Sequence, residues 1–237
     1  MRSYYERRAP EYDDWWLGSG RFAQRDRPGW HEDVTALCAA LAAQRPARTL
    51  DVACGTGFLT AHLPGEVTGL DQSERMLAVA AARLPGARFV HGDALGPPFA
   101  AGAFERVHTA HFYGHLDPSQ REPSGDREER LAVAGRLAPE LVIVDSALRP
   151  DGEPEAWQER ELDDGSRHSV YKRWFTAGSL AGEIGGAEVV HAGPWFVAVR
   201  RRGGSLAAEG RDARAALTCG QEPAVRSDRA GSRAPSA

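Results

Sequence analysis

The stretch RTLDVACGTGFLTAHLPGEVTGLD, residues 48–71, decides the fold of this chain. RTLDVA (48–53) and EVTGLD (66–71) are short and rich in apolar residues, which predicts two buried strands. Between them, CGTGFLTAHL predicts a glycine turn that leads into a helix ending at Pro64-Gly65. Two strands joined by a helical crossover predict a parallel sheet.

The flanking segments continue this alternation. Residues 30–41 have helical spacing, and Ser73 can cap a helix that runs to Leu84. Further strands are predicted at ARFVHGD (87–93), FERVHTA (104–110) and ELVIVDS (140–146), and a charged helix at 127–137. After Pro150, RHSVYKRWF is strand-like, TAGSLAGEIGG predicts a short helix, and AEVVHAG and PWFVAVRRR can pair as antiparallel strands. We predict an α/β fold, a doubly wound Rossmann-like and mostly parallel sheet closed by a C-terminal antiparallel hairpin.

Composition excludes several classes of protein. The chain has 237 residues, 42% hydrophobic and 26% charged, which is typical of globular proteins and too apolar for a disordered one. A net charge of -4 gives no attraction to nucleic acid or an anionic membrane. The N-terminus lacks an apolar signal region, and the three cysteines form no CxxC pair. We therefore expect a cytoplasmic protein with no membrane or nucleic-acid partner, whose oligomeric state stays open.

The chain divides into one domain and a tail. Residues 1–202 carry the alternating elements, whereas residues 203–237 are mostly Gly, Ser, Ala, Arg, Glu, Asp and Pro. Such a segment cannot bury enough apolar surface to offset its ordering entropy. We predict a disordered tail after residue 202.

The glycine turn after the first strand is the expected ligand site. In doubly wound sheets the ligand binds beyond the carboxyl ends of the strands, where the strand order reverses. Asp71, at the end of the second strand, is placed to accept the hydroxyls of a ribose. The dinucleotide fingerprint GxGxxG would need a third glycine after Gly55 and Gly57, but that position is Thr60, which disfavours an NAD-linked oxidoreductase.

Three motifs in order resemble those of class I S-adenosylmethionine-dependent methyltransferases. LDVACGTG resembles the first motif, GLDQSERML the second and HGDALGPPF the third. The resemblance covers roughly residues 1–202 and is closest to the small-molecule branch that includes the ubiquinone and menaquinone C-methyltransferases. It implies S-adenosylmethionine as cofactor and methyl transfer to a small metabolite. The alternative from another class is a non-catalytic cofactor-binding scaffold or sensor.

The resemblance also implies cofactor contacts for each motif: the first holds the methionine end, the second the ribose and the adenine, and the third the adenine amino edge. The residues are Asp51, Ala53, Gly55 and Gly57 in the first motif, Asp71, Gln72 and Met76 in the second, and Asp93 and Ala94 in the third. The alternatives are that Asp51 braces the loop, that Asp71 caps the next helix and that Met76 belongs to the core.

The N-terminal segment YYERRAPEYDDWW is unusually aromatic, and Pro10 prevents a single helix. In methyltransferases that it resembles, such a segment folds over the cofactor and a tyrosine contacts the methionine carboxylate, for which Tyr4 and Tyr12 are candidates. The alternative is that the aromatic rings only dock the terminus on the core.

Two further segments supply candidates for catalysis and acceptor binding. His111 and His115 follow the fourth strand and can orient or deprotonate the acceptor, with Tyr113 beside them. Their spacing would also suit a metal, but no third ligand is evident, and no metal site is predicted. Tyr171 and Arg173 lie on the RHSVYKRWF strand, where an aromatic ring could stack on a planar acceptor and Arg173 could bind an anion. The alternative there is an ordinary strand with a solvated charged face.

Overall fold

The computed structural model describes residues 2–116 and 133–203. Seven strands form one sheet in the order β3-β2-β1-β4-β5-β9-β8. They are β1 (Thr49–Val52), β2 (Val67–Asp71), β3 (Arg88–His91), β4 (Arg106–Ala110), β5 (Glu140–Ser146), β8 (Glu188–Ala192) and β9 (Phe196–Arg202). Strands β1 to β5 pair in parallel, β9 pairs antiparallel with β5, and β8 pairs antiparallel with β9. The predicted doubly wound sheet with its antiparallel hairpin is confirmed.

Six helices lie in the described part of the chain. They are α1 (Arg2–Arg8), α2 (Asp14–Leu17), α3 (Trp30–Ala42), α4 (Glu74–Arg83), α5 over residues 133–137, and α6 (Ala177–Glu183). Helix α4 begins as predicted, because the Ser73 side chain accepts a hydrogen bond from the Met76 N–H. The rest of the predicted helix 127–137, and all of the predicted tail 203–237 except Gly203, lie outside the described residues.

The segment after β1 is not the predicted helix. Residues 55–62 form turns and one 3-10 turn at Thr60–His62. Gly55 and Gly57 have φ angles of 56° and 74°, which a right-handed helix does not contain. The Thr60 hydroxyl donates to the carboxylate of Asp51 at 2.5 Å, and such side-chain bonds favour turns over helix.

A separate antiparallel ribbon consists of β6 (Glu155–Glu161) and β7 (Arg167–Arg173). Strand β7 was predicted, whereas β6 was missed, because EAWQERE has one large apolar residue and none of its residues is fully buried. The ribbon approaches the sheet at a bridge between Ala147, directly after β5, and Phe175, two residues after the end of β7. This connection places β7 near the carboxyl end of β5.

Apolar clusters cover both faces of the sheet. On β5, Leu141 and Ile143 belong to one cluster, and Val142 and Val144 to the other. Because successive strand residues point to opposite faces, the sheet is buried on both sides, as in other parallel sheets. No helix among the described residues is long and apolar enough to cross a bilayer.

Candidate functional site

A cleft opens at the carboxyl ends of the parallel strands, where β1 lies between β2 and β4. We call it the cofactor cleft; its walls are Tyr5, Tyr12, Ala53, Gly55, Asp71, Gln72, Met76, Asp93, Ala94, Leu95, Ala110, His111, Phe112, His115 and Leu116. The chain leaves β1 and β4 toward opposite halves of the sheet, so the cleft lies at the switch point where such folds bind ligands.

The cleft brings most of the predicted site residues together. Those that line it are Tyr12, Ala53, Gly55, Asp71, Gln72, Met76, Asp93, Ala94, His111 and His115. Tyr4, Asp51 and Gly57 do not line it. A Cβ atom on Gly57 would lie 3.2 Å from the Ala80 Cβ, so this glycine allows the loop to pack closely on α4.

Asp71 is held in place by the backbone around it. Its two carboxylate oxygens accept from the N–H groups of Gly55 and Ser73, each at 2.9 Å. Burial raises the pKa of this carboxyl group, although the two N–H donors oppose the shift. Since a carboxylate has about four lone-pair sites, it can still accept from ligand hydroxyls. The cap of α4 is Ser73, so Asp71 does not fill the capping role considered as the alternative.

Asp51 lies beneath the glycine loop and not in the cleft. It is buried, accepts from the Thr60 hydroxyl and lies 2.8 Å from the Nδ1 atom of buried His108. This places a polar chain under the loop, which corresponds to the bracing alternative. Sequence reasoning missed His108, although a polar residue inside the apolar strand FERVHTA was a usable signal.

The N-terminal segment covers the glycine loop and α4. Asp13 accepts from the Thr56 hydroxyl at 2.6 Å and pairs with Arg83, while the Glu6 carboxylate accepts from the Glu74 N–H at 2.8 Å. These contacts place Tyr5 and Tyr12 in the wall of the cleft. Burial raises the pKa of Tyr12 to about 12 and also raises that of Tyr5, so both phenols are neutral at physiological pH. Tyr5 was missed because the sequence pattern does not show which of the two adjacent tyrosines in YYERR faces the cleft.

A second cavity of about 550 Å³ adjoins the cofactor cleft. The two share four wall residues, which we call the junction: Tyr5, Tyr12, His111 and His115. Tyr4 lines this second cavity, which also receives the aromatic residues Trp15, Phe22, Trp30, Trp174 and Trp195. A ligand in the cleft and another in the second cavity would therefore meet at two tyrosines and two histidines.

His115 is held in one tautomer. Its Nδ1 lies 2.7 Å from the carbonyl oxygen of Tyr171. Because a carbonyl oxygen only accepts, Nδ1 carries the hydrogen and Nε2 keeps a free lone pair. Burial, with the positive charges of Lys172 and Arg160, lowers the pKa of His115 well below its ordinary value. The ring is therefore neutral at neutral pH.

His111 is held in a strained backbone conformation at the junction. Its φ of 52° lies in the left-handed region, which non-glycine residues rarely adopt. Its Nδ1 is 3.4 Å from the Ser146 hydroxyl and 3.6 Å from a carboxylate oxygen of Asp145, whereas its buried Nε2 has no partner among the described residues. Burial lowers the pKa of His111, although Asp145 opposes the shift.

An ion pair supports this arrangement from behind. The Lys172 ammonium donates to Asp145 at 2.5 Å, and Asp145 also accepts from the N–H groups of Gly114 and Ser146 at 2.7 and 2.8 Å. Burial alone would raise the pKa of Asp145, but Lys172 and His111 hold it well below its ordinary range. Among the described residues, no group of three or more His, Cys, Asp or Glu side chains could hold a metal.

The three predicted acceptor-binding residues lie outside both cavities. Tyr113 donates to Glu183 at 3.0 Å, Tyr171 donates to Glu155, and Arg173 pairs with Glu183 and Glu155. Because neighbours on a strand point to opposite faces, Lys172 enters the second cavity while Tyr171 and Arg173 point away from it.

Comparison with known proteins supports the resemblance to methyltransferases that the sequence motifs indicate. A family model described as "Methyltransferase domain" matches residues 49–127. The demethylmenaquinone methyltransferase of Staphylococcus aureus (strain JH9) is 44% identical over 69 residues, which cover 25% of this chain and 29% of that enzyme. The chain therefore matches less than a third of this curated relative.

Solved structures match over most of the chain. The complex of DhpI with SAM and HEP has a TM-score of 0.65 and 26% identity, covering 84% of this chain and 94% of that one. The complex of DhpI with SAH has a TM-score of 0.62 and 26% identity, covering 85% and 94%. The [4+2]-cyclase SpnF, at a TM-score of 0.55 and 17% identity over 85% of this chain and 95% of its own, shares the fold alone.

Three motifs thus surround one cleft at the switch point of the sheet, and the family model covers all three. The DhpI complexes share the fold and contain the cofactor or its demethylated product. The methyltransferase family model over residues 49–127 and the fold shared with the DhpI complexes support a class I S-adenosylmethionine-dependent methyltransferase, with S-adenosylmethionine as its cofactor.

Proposed function

We propose that this protein transfers the methyl group of S-adenosylmethionine to a small molecule bound in the second cavity. The observation that carries the proposal is the junction, where the cofactor cleft and the second cavity share two tyrosines and two histidines. Methyl transfer needs the acceptor atom in line with the sulfur–methyl bond, so the two ligands must meet end to end. Two cavities that meet at a polar junction suit this requirement.

His115 is the proposed proton acceptor. Its hydrogen is engaged at Nδ1 by the Tyr171 carbonyl, so Nε2 is the free basic atom. For an acceptor with an O–H or N–H group, the bond to the methyl carbon forms as the sulfur–carbon bond breaks, and the acceptor proton passes to Nε2. Its lowered pKa keeps His115 in the neutral form that this role requires.

His111 is proposed to orient the acceptor. Its Nε2 atom is buried, has no partner among the described residues and belongs to a ring that lines both cavities. A buried polar nitrogen without a partner is costly, so an acceptor group that bonds to it gains affinity and a fixed position. Support from Asp145 and Ser146 at Nδ1 holds the ring at the junction.

The experiment is to incubate the protein with S-adenosylmethionine and fractionated metabolite extracts. S-adenosylhomocysteine and products heavier by one methylene are measured by mass spectrometry. His115→Ala should lower turnover by about 10²- to 10⁴-fold with little change in cofactor affinity. His31→Ala, at an exposed position outside both cavities, serves as the control.

Two results would count against the proposal. Tight cofactor binding without any S-adenosylhomocysteine formation would favour the scaffold or sensor alternative. Equal turnover by the wild type and His115→Ala would remove the proton acceptor from the mechanism and leave alignment alone.

A further inference from the structure

The second cavity is strongly positive, although the whole chain is not. Seven basic side chains and three carboxylates line its described walls, whereas the complete chain has a net charge of -4. The excess of basic side chains in the cavity therefore reflects where these residues lie in the fold and not the composition of the chain. It concentrates in the cavity that would bind the acceptor.

Most of these basic groups have no carboxylate partner in the part of the chain that the structure describes. Lys172 pairs with Asp145, and Arg21 with Asp163. Within the described residues no ion pair is formed by the other five, which are Arg8, Arg25, Arg27, Arg149 and Arg160. Unpaired cations along one cavity repel one another unless an anion joins them.

Two of the five converge on one atom. Arg8 of α1 donates to the Tyr4 hydroxyl oxygen at 2.7 Å, and Arg160 of β6 donates to the same oxygen at 3.4 Å. Arg8 is only 9% exposed, and its other close neighbour is the face of the Tyr12 ring. Two guanidinium groups thus meet around a neutral oxygen. Each still has N–H donors to offer, since a guanidinium carries five.

This pair lies close to the junction. The charge of Arg160 acts on both His111 and His115, and Tyr12, which the Arg8 guanidinium covers, is itself a junction residue. An anionic group held by the pair would therefore leave the rest of a small molecule within reach of the histidines.

We propose that the acceptor carries an oxyanion, a carboxylate or a phosphate-type group, which Arg8 and Arg160 bind in the second cavity. This inference rests on the proposed function, since it names the acceptor class for the same site. Planar guanidinium groups bind such oxyanions with paired, charge-assisted hydrogen bonds. The bound anion also offsets the repulsion between the two cations.

The first test measures anion binding without any turnover. The complex with S-adenosylhomocysteine is titrated with inorganic phosphate, acetate and neutral acetamide at constant ionic strength. The signal is tryptophan fluorescence, because Trp15, Trp30, Trp174 and Trp195 line the cavity. We expect saturable binding of at least one anion and none of acetamide; comparison of phosphate with acetate then separates the two oxyanion types.

Arg160→Gln should weaken anion binding by about tenfold or more, as expected for a lost charge-assisted hydrogen bond. Arg7→Gln is the matched control, since Arg7 neighbours Arg8 in the chain but pairs with exposed Asp164, and neither residue of that pair lines the cavity. Arg8→Lys is the second variant, because it keeps the positive charge but removes the planar guanidinium group and its paired N–H donors. It should weaken binding less than Arg160→Gln.

The second test uses pairs of trial acceptors, each acid matched with its amide, and measures S-adenosylhomocysteine. Acids should be preferred by the wild type, and the preference should be reduced in Arg160→Gln. Absence of anion binding, equal binding in Arg160→Gln and Arg7→Gln, or equal turnover of acids and amides would overturn the inference. Cofactor binding by calorimetry is measured in parallel, so failure of the proposed function, seen as no cofactor binding or no turnover of any acceptor, is distinguished from failure of the anion site.

Discussion

At the scale of single residues, Asp71 holds Gly55 and Ser73 through its carboxylate, and we propose that it offers its remaining lone pairs to the ligand. We predict that Asp71→Asn, which keeps the shape but loses the charge, weakens S-adenosylmethionine binding by about ten- to a hundredfold. Isothermal calorimetry measures this, with the exposed Asp26→Asn as control. Unchanged affinity would mean that Asp71 only supports the loop.

The lowered pKa of His115 leads to a prediction about the pH dependence of kcat/KM. In the proposed role of proton acceptor its neutral form is the active one, and burial with the nearby cations lowers its pKa below the ordinary value of 6.5. As the pH falls, a histidine with a lowered pKa stays neutral longer, so kcat/KM should remain high at pH 6 to 6.5 and fall only at more acid values. A rate that halves near 6.5 would show that an unperturbed histidine controls the reaction.

Most of the residues that line the cofactor cleft could be predicted from sequence because they lie at or shortly after the carboxyl ends of strands, and parallel strands end at one edge of the sheet. Arg8 and Arg160 could not, since they are far apart in the chain and meet only when α1 docks beside β6. Tyr171 and Arg173 were predicted to bind the acceptor because the sequence pattern shows that successive side chains of a strand point to opposite faces. It does not show which face lines a cavity. In the structure Lys172 lines the second cavity, and Tyr171 and Arg173 do not.

At the scale of elements, the glycine loop combines an unusual backbone with close packing. Gly57 and Gly29 have similar φ angles, 74° and 72°, but only at Gly57 would a Cβ atom meet a neighbour, Ala80 of α4. The strands of the large sheet and α4 were predictable because hydrophobic periodicity and helix capping are local signals. The turns of residues 55–62 were not, because they depend on bonds from Thr60 and Thr56 to distant carboxylates.

We predict that Gly57→Ala destabilises the protein more than Gly29→Ala. Both substitutions incur the left-handed penalty of about 1 kcal/mol, and only the first also displaces α4. Denaturant unfolding compares the two, and calorimetry should show weaker cofactor binding for Gly57→Ala alone. Equal losses of stability would show that the loop moves without cost to α4.

At the scale of the whole molecule, the buried pair of Asp145 on β5 and Lys172 on β7 joins the large sheet to the ribbon. We predict that Asp145→Asn lowers the free energy of unfolding by about 3 to 5 kcal/mol, because it leaves a buried ammonium without a counter-charge. Glu161→Gln, in an exposed pair, should cost no more than about 1 kcal/mol. Replacing Lys172 by Met as well should recover part of the loss. A loss no larger than that of Glu161→Gln would contradict the prediction.

The same pair sets an acid limit on stability. The folded-state pKa of Asp145 is lowered below its ordinary value of 3.8. Its stabilisation is therefore complete above that value and is lost as the pH falls toward the folded-state pKa. The wild type should lose stability below about pH 4 more steeply than Asp145→Asn does.

The N-terminal segment contributes walls to both cavities through Tyr5 and Tyr12. We expect that a movement of this segment that lets one ligand leave would also uncover the other, so that exchange of the two is kinetically coupled. An acceptor analogue that holds the segment closed should slow the dissociation of S-adenosylhomocysteine, which stopped-flow displacement would measure. Release of the spent cofactor, and not the transfer step, would then set the pace of turnover at high concentrations of acceptor.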